Sequence, residues 1–184
     1  MSLSAFANIA VICFEAIGLG ISIPRRHWQV LAYYTQLSNI AALISSVAFI
    51  GWGEVYPVTV LRYISTCMLT MTFLITLFVL VPMGGGFKRL MLSGNGLYHH
   101  TICPAISVAS YILLEQHTSP WIIPVIITLI YGVVMLLMNY YRKFDGPYPF
   151  FRVHNQSRTA TFIWMVVLIA VITVISLGVS FIAG

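Results

Sequence analysis

Tyr33-Tyr34-Thr35-Gln36-Leu37-Ser38-Asn39 lies inside a long apolar run that reads as a membrane-spanning helix. Thr35, Gln36, Ser38 and Asn39 place two hydroxyls and two amides within that run. A bilayer core offers such groups no water, so they must find partners inside the protein. Thr35 stands three residues before Ser38 and four before Asn39, so all three share one helix face. His99 and His100, in another apolar run, are the partners this face predicts. The stretch therefore points to a membrane bundle with a polar interior that brings these two places together.

The composition agrees. Of 184 residues, 60% are hydrophobic and only 7% are charged. A soluble domain carries about 25% charged residues. With a mean hydropathy of +0.96, lipid is the solvent for most of the surface. At this length one compact domain, residues 1–184, is expected. The net charge of +5 is spread over short loops, which fits membrane topology and excludes a nucleic-acid footprint. Cys13, Cys67 and Cys103 lie in separate apolar runs and set up no disulfide framework.

Taken in order, the chain predicts an all-α fold of six transmembrane helices. Their spans are about 3–23, 29–51, 58–81, 97–114, 121–141 and 159–181. Each is near the roughly 20 residues needed to cross the hydrocarbon. The first carries Glu15 and is followed, not preceded, by Arg25-Arg26, unlike a signal peptide. Arg62, near the start of the third, is expected to snorkel to the headgroups. Glycines at 84–86, 94 and 96 flank a short interfacial segment, and Glu115 to Ser119 closes the fourth span. All lysines and arginines except Arg62 fall in the connections after spans one, three and five; those after spans two and four hold none. By the positive-inside rule, both termini lie outside and the basic loops in the cytoplasm.

The chemistry concentrates in one half of the bilayer. At about 1.5 Å per residue, Thr35 lies roughly 10 Å in from the basic side, near the predicted depths of Glu15, His99 and His100. A carboxylate in a membrane helix costs about 2.5–3.5 kcal/mol on insertion scales, so Glu15 must face the interior with a partner. On the fourth span, His100, Pro104, Ser107 and Tyr111 fall on one face. His99, Cys103 and Ser110 fall on the next. A threonine hydroxyl is a weak nucleophile that needs an adjacent base, and a histidine is suitable. Asn39, Gln36 or backbone amides would stabilise an oxyanion. The bland alternative stands beside this: membrane threonines bond back to their own helix, and Asn or His there often only joins helices. Adjacent histidines point about 100° apart and are poor joint metal ligands, so no metal and no cofactor is implied.

Tyr34-Thr35-Gln36-Leu37-Ser38-Asn39, then His99-His100-Thr101 followed by Pro104, then Tyr148-Pro149-Phe150 before the last span, resemble in order and spacing the androgen-induced integral-membrane hydrolases and their bacterial relatives. That resemblance implies an intramembrane threonine hydrolase of lipid esters, such as fatty acid esters of hydroxy fatty acids, in a bacterial cytoplasmic membrane. It implies Thr35 as nucleophile. It implies a histidine base, either His100, which forms the His-Thr pair, or His99, counted back from the proline. Asn39, Ser38, Gln36, Glu15, Ser107 and Tyr111 would support the site or bind a fatty-acyl substrate drawn from the bilayer. The alternative expectation is a non-catalytic bundle that binds or transports a small lipid or amphiphile.

Overall fold

The computed structural model describes residues 1–118, 120–145 and 148–183, without the side chains of residues 25–28. Its helices are α1 (Leu3–Arg26), α2 (Tyr34–Trp52), α3 (Tyr56–Ile75), α4 (Phe87–Met91), α5 (Asn95–Leu97), α6 (Cys103–Leu114), α7 (Ile122–Tyr140) and α8 (Arg158–Ala183). No strand occurs among the described residues. Six helical stretches are long and apolar enough to cross a membrane: Leu3–Pro24, Tyr34–Trp52, Tyr56–Gly85, Asn95–Leu114, Ile122–Tyr140 and Arg158–Ala183. The protein is an all-α bundle of six such helices, and its apolar exterior marks an integral membrane protein. Ile126 and Ile130 of α7, and Phe162, Val174 and Phe181 of α8, point outward.

Helix α3 is the hub and packs against α2, α6, α7 and α8, while α1 lies across α2 and α6. Two departures from helical regularity matter for the site. After Ile75 the third span continues as a wide π-helical segment, from Thr76 to Pro82, and kinks at Met83 and Gly84, where the backbone leaves helical geometry. It ends at Gly84 and Gly86, whose φ values of +94° and +72° favour glycine over residues with a Cβ. The second is a π-turn at Tyr98–Ile102, immediately before α6. Pro104 has no N–H to give the carbonyl four residues back. The chain widens there instead, and Cys103 N–H bonds Tyr98 O. This extra residue per turn shifts His99 and His100 relative to the regular spacing assumed above. His99 is fully buried; His100 is half-buried.

The second span starts later than expected, because 27–32 forms a 3₁₀ helix and α2 begins at Tyr34. Thr35 is therefore a first-turn residue and not a mid-helix one. Arg62 does not snorkel. It is fully buried and bonded to Glu115, which likewise points inward and does not merely close a loop. Burial leaves a guanidinium no water, so only a carboxylate partner makes the position tenable.

Candidate functional site

Helix α2 begins without a side-chain cap: Tyr33 is extended, and its side chain caps nothing. The first amides of a helix have no partner within it. Here two distant tyrosines supply the acceptors. Tyr34 N–H donates to Tyr131 Oη (3.1 Å) and Thr35 N–H to Tyr148 Oη (3.2 Å). Tyr148 Oη also lies 2.9 Å from Thr35 Oγ1, so one phenol holds both the amide and the hydroxyl of Thr35.

Tyr148 is delivered by the aromatic turn ahead of α8. Pro149 opens a 3₁₀ turn, Pro149–Phe151, that folds back into the bundle. Phe150 and Phe151 are buried beside Tyr148. Phe150 stacks on Tyr148 with ring centres 5.1 Å apart and reaches Trp164 of α8 at 5.6 Å. Of the turn 145–150, Gly146 and Pro147 lie outside the described residues. Burial pushes the Tyr148 phenol above its ordinary range, so the group stays neutral and keeps its O–H.

Two cavities meet at this pair. One is a narrow apolar cleft of about 40 Å³ between α2, α3, α7 and α8, walled by Met71, Ile75, Phe151, Met165 and Leu168. The other is a polar chamber of about 440 Å³ bordered by Gln36, Arg89, Asn95, His100 and Arg152. Thr35, Tyr148 and Leu80 line both. A hydroxyl thus stands at the boundary between a slot suited to hydrocarbon and a chamber suited to polar groups.

The two histidines have different surroundings. His100 borders the polar chamber, and its Nδ1 lies 2.7 Å from Leu90 O. A carbonyl only accepts, so Nδ1 carries the proton and Nε2 keeps its lone pair. His99 is sealed in the interior. Its Nδ1 lies 3.2 Å from Gln36 Nε2, which only donates, and its Nε2 faces Glu15 Oε2 at 3.5 Å. His99 thus has no free lone pair for a substrate. Glu15 lies against His99 there, away from Thr35, with no hydrogen bond between them.

Gly18, one turn beyond Glu15, makes room for this ring. A methyl added at Gly18 would collide with His99 Nε2 and Cδ2. Gly18→Ala is therefore expected to cost about 1–3 kcal/mol by overpacking. A thermal unfolding midpoint in detergent equal to that of the wild type would contradict this packing.

Ser38 Oγ (2.8 Å) and Asn39 Nδ2 both donate to Thr35 O, and Ser38 Oγ also meets Thr72 Oγ1 at 2.9 Å. They fix the first turn of α2 and leave the Thr35 hydroxyl to Tyr148. Ser107 bonds Thr66 (3.0 Å), and Tyr111 donates to Thr118 O (2.8 Å), so neither reaches Thr35. Sequence reasoning passed over Tyr148, Arg89 and Arg152 as site residues. Only the Tyr148-Pro149-Phe150 motif signalled the first, and nothing local signalled the arginines. Comparison with known protein families, curated proteins and solved structures finds no match to this chain.

Proposed function

We propose that this protein is an intramembrane hydrolase of lipid esters with Thr35 as nucleophile and His100 as base, akin to the androgen-induced integral-membrane hydrolases. The observation that carries the reading is the position of the Thr35 hydroxyl, where the apolar cleft meets the polar chamber. An acyl chain in the cleft would bring its ester carbonyl to Thr35 and leave the alcohol portion in the chamber. Thr35 Oγ1 attacks the carbonyl carbon, and its proton passes through a chamber water to His100 Nε2. The neutral Tyr148 O–H, held at the positive end of α2, donates to the oxyanion. His100 returns the proton to the departing alkoxide. Water, activated by His100, then releases the fatty acid from Thr35. The basic loops would face the cytoplasm of a bacterium, so substrate would come from the inner leaflet.

A second reading is favoured by one observation: Thr35 Oγ1 is bonded to Tyr148, with no direct histidine bond among the described residues. The same cavities would then bind or move a single-chain lipid without chemistry. The discriminating experiment is fatty-acid release from long- and short-chain fluorogenic esters by the purified protein in detergent. The hydrolase reading expects release that improves with chain length until the cleft is filled. Retention of a long-chain ester without any cleavage would select the binder.

A further inference from the structure

An ester has two sides, and the two cavities differ in chemistry. We infer that the alcohol side of the ligand is a compact phosphorylated polyol, held by Arg89 and Arg152, so that the substrate is a single-chain acyl ester of the lysophosphatidic acid type. For the cleavage step this rests on the hydrolase reading above; for binding it does not.

The apolar cleft is narrow and walled by hydrocarbon, which suits one acyl chain rather than two. The chamber's border sets Gln36, Arg89, Asn95, His100 and Arg152 among apolar residues, Val30, Leu80, Met83 and Leu90. At about 440 Å³ the chamber is far roomier than the cleft and suits a hydrated headgroup such as glycerophosphate.

The charge selects phosphate. Among the described residues, no carboxylate borders the chamber. Neither Arg89 nor Arg152 forms an ion pair with an acid among the described residues, whereas Arg62 does, with Glu115. Arg89 Nε donates to Gly85 O at 2.9 Å, which steadies the side chain and leaves both terminal amino groups for a ligand. Arg152 follows the aromatic turn that places Tyr148, so headgroup binding and the Thr35–Tyr148 pair share one short segment. The guanidinium fork matches a phosphate's oxygens. A phosphate monoester carries about −1.5 to −2 charges at neutral pH, which suits two cations better than a single carboxylate does.

The test uses Thr35→Ala protein in detergent, so that no turnover confuses binding, with fluorescent lysophosphatidic acid and a monoacylglycerol of equal chain length. The expected result is about 100-fold tighter binding of the phosphorylated lipid. Arg89→Gln and Arg152→Gln should each remove about tenfold of that, and should leave the monoacylglycerol and the thermal midpoint unchanged. Equal affinity for the two lipids, or equal weakening of both by the arginine variants, would overturn the inference. Displacement by glycerol phosphate as strong as by the lysolipid would overturn it too, by making the ligand a soluble phosphate. If the phosphorylated lipid binds as expected and wild type releases no fatty acid from it, the hydrolase reading fails and the headgroup assignment stands.

Discussion

Glu115→Ala is expected to cost about 3–5 kcal/mol, because it leaves a guanidinium buried and unpaired. Total stabilities run to only about 5–15 kcal/mol, so the variant should unfold where the wild type does not. Arg62 Nε donates to Glu115 Oε2 and Nη2 to Oε1, both at 2.9 Å, in a two-pronged bond. Asn8 Nδ2 (3.0 Å) and Ser110 Oγ (2.6 Å) also donate to Oε1. Arg62 Nη1 reaches Ser46 Oγ at 3.2 Å. One ion pair thus gathers α1, α2, α3 and the end of α6. Glu115→Gln keeps an acceptor and should fall between the two. The double variant Arg62→Met with Glu115→Leu removes both charges and should recover most of the loss. Unfolding by heat or by graded sodium dodecyl sulfate measures the series. A Glu115→Ala midpoint equal to wild type would contradict the clasp.

His100→Ala should lower the rate of ester cleavage by about 10²–10⁴-fold, the usual contribution of a positioned base. The reason is the tautomer: Nδ1–H donates to Leu90 O, which leaves Nε2 as an acceptor at the chamber wall. His99→Gln tests the opposite assignment. Its Nδ1 is bonded to Gln36 and its fully buried ring packs against Glu15 and Gly18, so its replacement should lower the thermal midpoint more than the rate. Steady-state rates measured beside thermal midpoints separate the two histidines. A well-folded His99→Gln protein as slow as His100→Ala would reverse the assignment.

Much of the fold was legible in hydropathy alone, since six apolar runs separated by turn residues become six long helices. The errors have physical causes. Residues 29–32 are apolar enough to extend the second span, yet they form 3₁₀ turns. The start of α2 is set by Tyr131 and Tyr148, about a hundred residues away, which no local pattern announces. Pro82 reads as a helix end, and the helical backbone does break just after it, at Met83 and Gly84, although the winding before it is the wider π type. Arg62 near a span's end reads as snorkelling because its carboxylate partner is far away in the sequence. Glu15 was legible as a buried acid needing a partner, and Thr35 as a polar group needing one. Which partner each found depended on helix packing: His99 for the acid and Tyr148 for the hydroxyl.

The proposed nucleophile is tested most directly by a long-chain fluorophosphonate, which traps an activated hydroxyl covalently. Purified wild-type protein should gain the mass of one phosphonyl group, localised by peptide mapping to the stretch containing Thr35. Thr35→Ala should gain none, and His100→Ala should react far more slowly. A folded wild-type protein that stays unmodified, or an adduct that persists in Thr35→Ala, would contradict Thr35 as the nucleophile.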